Sequence, residues 1–446
     1  MLKVAISQIN LLKKRDIFFL LLAFCCAGKY LIADSWEFHA NDFAPIYVAA
    51  QLATDGKTTS LYDHHPYLFN IVPPGDFRET AEKVGFKGSL HPYVHLPLVS
   101  FIFRPLLFIP FHIMTKLLLL MNFLALALSL HLILKLVGRG YDLRWITIAL
   151  LAMAYFYPIR YGLRIGQTTP IIFLGITSIY YFARYGYLKT SGCILGGIIC
   201  LKITPIFFLC YFSIKKKWSL VISSVITLIL IGICSVLFMG WESNVIFFSN
   251  TIRLNGLSLA SWNNQSLDGF LLRWVTGALH LYDWHLLELP FKMKIIKYLA
   301  FSCMFLLWLF ILLRPAEKKE ENRDLLDFSL TLILLVISSP ISWSHYLLFL
   351  VFPYMVLLST FIQNKTTPYR KLMIGGLLLS YPGIALPPSY FLISTNYPLI
   401  NKLPLAVLSS SGFLGGVLLI MIILLHTIFI RKTECRMENT ERKLSG

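Results

Sequence analysis

Residues 218–240 read WSLVISSVITLILIGICSVLFMG, an unbroken run without one charged side chain. A helix needs about 20 such residues to cross the hydrocarbon core of a bilayer. Within lipid, each segment must satisfy its own backbone amides, which leaves helices and closed barrels as the only spanning structures. Further apolar stretches occupy residues 16–33, 96–111, 114–137, 143–159, 168–183, 188–214, 295–313, 325–338, 345–362, 372–385 and 405–430. These stretches predict an all-α integral membrane protein, a bundle of about twelve transmembrane helices. Residues 1–430 are expected to form one domain and residues 431–446 a disordered cytoplasmic tail. The first span is followed by no small-residue cleavage motif and reads as an anchor.

Charge distribution sets the partner class. Charged residues make up 14% of the chain and mean hydropathy is +0.69, against roughly 25% charged in water-soluble domains. A net charge of +18 would suit nucleic acid, but the basic residues gather in short inter-span segments, at 13–15, 215–217, 314–323, 370–371 and from 431 onward. That is the positive-inside bias of a membrane protein, with membrane lipids and not nucleic acid as its surroundings. Lys135, Arg139 and Arg144 would fall outside on this count. A re-entrant 96–111 segment, rich in proline, would change the count there. The eight cysteines show no metal-site spacing, and buried thiols acting as small hydrophobes account for them.

With the N-terminus inside, three segments face outward: a large first extracytoplasmic loop (34–92), a second (241–294) and a short one (339–344). Polar chemistry concentrates in the first, headed by Asp42. A short amphipathic helix, 43–53, follows Asp42 and is stopped by Asp55-Gly56. Asp42 is either the N-cap of that helix or a working carboxylate at the outer membrane face. His64-His65, His91 and His95 share the loop without the spacing of metal ligands, so no metal and no cofactor is expected.

Several strings occur in a recognisable order. Asn41-Asp42-Phe43 is followed by Tyr47, Ala49-Ala50, Gly56 and Leu61-Tyr62-Asp63. Then come Arg104-Pro105, Gly166-Gln167 and Lys202-Ile203-Thr204-Pro205. Asn264-Gln265-Ser266 with Arg273 and Ser339-Pro340-Ile341-Ser342-Trp343-Ser344-His345 complete the series. Together they resemble glycosyltransferase family 87, the polyprenyl-phosphate-mannose-dependent mannosyltransferase-like proteins. The chain departs from that pattern at His95-Leu96-Pro97 and at Ser344.

The resemblance implies a GT-C architecture and an inverting transfer of a hexose, with mannose expected. The donor would be a polyprenyl-phosphate sugar, the acceptor a lipid or envelope glycan, and the active site would face the periplasm or exterior. It assigns the catalytic base to Asp42. One carboxylate suffices, because phosphate leaves without the strong general acid that glycosidases supply with a second carboxyl group. Cationic or hydrogen-bonding groups should meet the charge growing on the phosphate.

Lys202, Arg273, His345, Gln265, Gln167 and Arg104 are the candidates for donor phosphate or substrate, and Trp343 and Tyr47 for stacking on the sugar. Each has a plainer reading. Lys202 can snorkel, and Arg273 can face solvent or headgroups. Gln167 can cap a helix break, and Arg104 and His345 can be structural. Trp343 can belong to the aromatic belt, and Tyr47 can pack the loop. The competing function is a multi-span transporter or lipid flippase of envelope-glycan precursors. The chain lacks the internal repeat and paired mid-membrane charges that such a protein would carry.

Overall fold

The computed structural model describes residues 14–37, 40–62, 65, 67–140, 142–254, 256–314, 322–363, 369–388 and 402–444. Asp63, at the end of the Leu61-Tyr62 string, and the basic positions 13, 318 and 319 lie outside this set. Helices dominate the described residues, and extended pairing is limited to isolated bridges such as Asn264 with Trp343.

Helix α1 (Lys14–Ala27) runs on through a π turn, Gly28–Ile32. Three short helices follow: α2 (Ala44–Thr54), α3 (Asp76–Lys83) and α4 (Pro97–Phe103). The long α5 spans Phe111–Leu136. Next come α6 (Leu143–Ala154) and α7 (Tyr157–Arg164), bent by 59° where Pro158 enters the first turn of α7. Helices α8 (Thr169–Arg184), α9 (Leu188–Leu201), α10 (Phe207–Ile214) and α11 (Trp218–Met239) continue the bundle. After α12 (Trp241–Leu254) and α13 (Leu267–Thr276) come α14 (Phe291–Leu313) and α15 (Arg323–Ser338). A 3-10 turn, Ser344–Leu350, leads into α16 (Val351–Gln363), and α17 (Arg370–Ala385), α18 (Lys402–Ser409) and α19 (Ser411–Leu444) close the order.

Among the described residues, six helices are long and apolar enough to cross a membrane, or up to seven if the bent α6–α7 pair is one span. About twelve were expected because each apolar stretch was counted, and several stretches form shorter or broken helices. Residues 188–214 divide into α9 and α10 at Lys202, whose backbone is extended (φ −156°, ψ 123°) ahead of Pro205. Residues 96–111 do not form one helix at all. Pro97 opens α4, Pro105 turns the chain through Arg104–Leu106, and Pro110 precedes α5. The Tyr47 hydroxyl donates to Ile109 O at 3.0 Å, which keeps this stretch beside α2.

That correction moves the basic cluster. With residues 96–111 staying at the Asp42 end, α5 carries the chain to the opposite end. There Arg144 pairs with Asp16 at 3.2 Å, so Lys135, Arg139 and Arg144 join the N-terminal basic residues. The same end holds the fully buried Asp327 carboxylate, reached by Lys215 Nζ at 2.6 Å and Arg314 Nη1 at 3.1 Å. Helix α19 continues to Leu444 through the tail expected to be disordered. Residues 431–444 contain no Gly or Pro and are rich in Arg, Lys and Glu, which favours helix.

Apolar helices gain little from the hydrophobic effect when lipid is the alternative, so close approach of small residues matters more. Gly192 and Gly196 of α9 face α11, where a methyl group on Gly196 would stand 2.6 Å from Thr227 Cβ. Ser224 Oγ closes the contact by donating to Gly192 O at 3.0 Å. Phe328 centres the main core, with Tyr180, Phe208 and Phe352 rings at 4.6, 4.9 and 5.3 Å. A separate core joins Phe43, Tyr47 and Phe111 where the short helices pack on α5. In the most apolar window of α11 only 17% of residues are buried, against 83% in Ser344–Gln363. The first therefore offers a lipid-facing surface, and the second runs through the centre.

Candidate active site

Asp42 lies in the turn between α1 and α2, held against the end of α7. Ala40 has a left-handed backbone (φ 50°) and Gly166 another (φ 74°). A side chain at Gly166 would put Cβ 2.6 Å from Ala40 Cβ, so only glycine lets these two turns dock. The Asp42 amide then donates to Ile165 O at 2.8 Å.

The Asp42 side chain does not cap α2. The residue at the N-cap is Phe43, with no side-chain bond to the helix. Asp42 Oδ1 instead meets His91 Nδ1 in a short hydrogen bond, and Oδ2 accepts from Gln167 Nε2 at 2.5 Å. Gln167 is fixed by Asn122, whose amide donates to Gln167 O at 2.8 Å. Burial pushes the Asp42 carboxyl up, but the hydrogen bond from His91, its charge, and the Gln167 contact outweigh that and hold it below the usual carboxylate range.

Lys202 enters the same space because α9 ends beneath it. His95 Nδ1 donates to Leu201 O at 3.1 Å, fixing the break, and burial lowers the His95 pKa to about 4, keeping that ring neutral. The Lys202 ammonium lies 3.6 Å from the centre of the Tyr346 ring, where a cation–π contact compensates part of its desolvation. It lines the cavity and does not reach back toward the basic end.

His345 is 2% exposed, and neither ring nitrogen has a hydrogen-bond partner. It is presented by a strap between residues 263–265, ahead of α13, and the turn before α16. Ser344 N donates to Asn263 O at 2.7 Å, Ser342 N to Asn264 Oδ1 at 2.9 Å, and Gln265 N to Ser342 O at 2.6 Å. A buried imidazole with two orphaned nitrogens is uncommon and calls for an explanation in what enters the site.

Asp42, His91, Gln167, Lys202, His345 and Trp343 line one cavity of about 820 Å³. Tyr161, Asn263, Asn70, His95 and Thr204 add to its polar lining. An apolar stretch of the wall is formed by Phe207, Phe301, Met304, Phe305, Trp308, Leu334 and Leu335. Trp343 leans against Phe69 with centroids 5.7 Å apart.

Four expected site residues are not brought to this cavity. Arg273 is fully buried, and its guanidinium bonds Ser410 Oγ at 2.7 Å and Ser261 O at 2.8 Å, which tie α13 to the chain before α19. Gln265 donates to Trp262 O and Ser409 O and accepts from the Gly412 amide, so its capacity is used in joining segments. Tyr47 is engaged by Ile109 O and the Phe111 ring, and Arg104 lies over Phe101. Polar residue type was read correctly there, but the partners supplied by distant segments were not visible.

His91, Tyr161, Asn263 and Tyr346 are the site residues the sequence reading missed. His91 had been weighed only as a metal ligand. Adjacency to Pro92 and to the Tyr93-Val94-His95 string gave no sign that it would meet Asp42. A different group with metal-ligand spacing lies in the second outer loop, at His280, Asp283 and His285.

Residues 93–340 match the sequence model of Glycosyltransferase family 87. Asp42, His91, Trp343 and His345 fall outside that match, whereas Gln167 and Lys202 fall within it. A relative from Mycolicibacterium smegmatis, a polyprenol-phosphate-mannose-dependent alpha-(1-2)-phosphatidylinositol mannoside mannosyltransferase, is 23% identical over 252 residues. That alignment covers 54% of this chain and 52% of the relative, so the chain spans about half the relative's length. No solved structure matches. A family match over more than half the chain, running through the broken helix at Lys202, shows that this protein belongs to Glycosyltransferase family 87.

Proposed function

We propose that this protein transfers a hexose, mannose in the first instance, from a polyprenyl-phosphate sugar to a lipid or envelope-glycan acceptor, with inversion at the anomeric carbon. The observation that carries the reading is one cavity with the Asp42 carboxyl group and the Lys202 side chain on its polar side and Phe, Met, Leu and Trp side chains on the other. A sugar linked through phosphate to a prenyl chain has the same sequence of chemistries. The prenyl chain would follow Phe301, Met304, Phe305 and Leu334, the phosphate would meet Lys202, and the sugar would occupy the space toward Asp42.

Asp42 takes the proton of the acceptor hydroxyl as that oxygen bonds to the anomeric carbon. The bond from that carbon to the phosphate oxygen breaks on the opposite face, and its electron pair leaves with polyprenyl phosphate. Lys202 opposes the charge growing on the departing phosphate. His91 and Gln167 hold both carboxylate oxygens, so the proton-accepting lone pair has a set direction. His345 offers a neutral nitrogen to the sugar or phosphate. No divalent cation is assigned to the transfer step.

Orientation follows from the basic residues. Arg139, Arg144, Lys215 and Arg314 share the end remote from Asp42, and positive segments favour the cytoplasm. The cavity would then open on the extracytoplasmic side of the inner membrane. With α6 joined to α7 as one span, up to seven described helices are long and apolar enough to cross, and the eight-residue α10 is too short to cross alone.

The test is transfer of radiolabel from a panel of synthetic polyprenyl-phosphate sugars to membrane lipids by the purified full chain. Label moved from the mannosyl donor by wild type and not by Asp42→Asn supports the reading. Equal transfer by both removes the assignment of Asp42. Failure with every donor, alongside facilitated movement of a glycolipid across a vesicle, favours a flippase.

A further inference from the structure

The second outer loop carries His280-Leu281-Tyr282-Asp283-Trp284-His285, a string that the proposed transfer does not use. His280 Nδ1 lies 3.2 and 3.1 Å from the two oxygens of Asp283, and His285 Nδ1 lies 2.9 Å from Oδ1. One ligand atom from each residue falls within 4.8 Å of the others. The two rings are tilted by 51° to each other, with centroids 4.8 Å apart.

We propose that His280, Asp283 and His285 bind a divalent transition-metal ion, Zn²⁺ by preference, which fastens the lip of the sugar-transfer cavity. Two imidazoles and a carboxylate suit zinc, and a water completes the tetrahedron. Bonds of about 2.0–2.1 Å to a tetrahedral ion put ligand atoms about 3.3 Å apart, close to the separations of both imidazoles from the Asp283 carboxylate, while the two histidines, within 4.8 Å, would draw together around the ion. A second observation separates this site from an ordinary hydrogen-bonded cluster. His285 Nδ1 is shielded from solvent, though its side chain is 41% exposed, and has no well-aligned hydrogen-bond partner, although it stands 2.9 Å from Asp283 Oδ1. Its distance is right and its alignment is wrong for a donated proton, as expected for a lone pair aimed at a shared point.

The backbone already holds the three residues in place. His285 N donates to Asp283 Oδ1 at 3.2 Å, and Leu281 O accepts from Trp262 N at 3.0 Å. From this turn the chain pairs with the first outer loop: Phe69 N donates to Trp284 O and Leu286 N to Tyr67 O, both at 2.9 Å, and Leu68 bridges His285. Phe69 and Trp284 line the cavity. An ion at this site would brace the contact that sets the shape of the cavity mouth without touching the reacting atoms. The proposal does not depend on which sugar is transferred, or on transfer itself.

Metal content decides it. Detergent-purified full chain, loaded with Zn²⁺ and desalted, should retain one equivalent, and Co²⁺ should give the intense visible bands of a tetrahedral site. His280→Ala and His285→Ala should each lose the equivalent, while His112→Ala keeps it. Zn²⁺ should raise the Tm of wild type and leave that of the two loop variants unchanged. Should the alanine variants fail to fold, His280→Cys still decides: it should bind Co²⁺ with a thiolate charge-transfer band. No retained Zn²⁺ in wild type, retention unchanged in the folded variants, or Co²⁺ binding by His280→Cys without that band overturns the proposal.

Discussion

His91 Nδ1 meets Asp42 Oδ1 across 49 residues of chain, joining the start of the short-helix segment to its far end. The bond selects one oxygen of the carboxylate, while Gln167, 125 residues away in sequence, holds the other. The candidate base is thus aimed by two separate elements, α7's exit and the stretch before α4. Five expectations test the geometry.

Asp42→Asn should lower turnover by about 10²- to 10⁴-fold, the usual contribution of a positioned general base. The amide keeps the size of the side chain and can still bond Gln167, so Tm should hold. Turnover of radiolabelled donor beside thermal unfolding reads both quantities.

His91→Ala removes a hydrogen bond to a charged group, worth about 2 kcal/mol, or roughly thirtyfold. The loss should fall on kcat more than on donor KM, because His91 hydrogen-bonds Asp42 and orients its carboxylate. His91→Asn, whose amide can donate from nearly the same place, should recover part of the rate. A loss carried wholly by KM would assign His91 to substrate binding instead.

The pH profile follows from the sign of the Asp42 shift. Burial raises the carboxyl, His91 and Gln167 lower it, and the net position is below the ordinary value. Its stabilising contribution is complete above the unfolded value of about 3.9 and vanishes as pH falls through the lower folded value. The acid limb of kcat/KM assigned to Asp42 should therefore lie below the usual carboxylate range, and His91→Ala should move it upward. An acid limb near neutrality that survives in His91→Ala would belong to another group.

Lys202→Met should reduce kcat/KM for the phosphate-linked donor by about 10- to 100-fold, with Lys202→Arg intermediate. Arg273→Lys should behave differently. Its guanidinium bridges Ser410 and Ser261 in a fully buried setting, and lysine cannot reproduce that fork. A stability loss of about 2 kcal/mol is expected, seen as a lower Tm with kcat/KM per folded molecule little changed. Kinetic loss without thermal loss would return Arg273 to the substrate.

The helical class was legible in residues 218–240 and their counterparts, because lipid leaves the backbone few alternatives. Breaks at Pro97, Pro105 and Pro205 were visible as residues, but their consequence for the path was not. A proline says where a helix stops, and only the Tyr47–Ile109 contact shows that the chain stays at the Asp42 end. The Lys135, Arg139 and Arg144 conflict came from that missing fact, and it disappears once residues 96–111 are read as re-entrant.

The sequence by itself determined that this chain is a helical membrane protein of a particular glycosyltransferase family, since apolar run length and ordered short strings are local properties. Tertiary structure decided which polar side chains share a cavity. Asp42, His91, Lys202 and His345 converge, while Arg273 and Gln265, equally promising as residue types, bind neighbouring segments. The physical reason is that hydrogen-bonding capacity is finite, and whether a buried donor faces a cavity or a carbonyl depends on the packing of helices far apart in the chain.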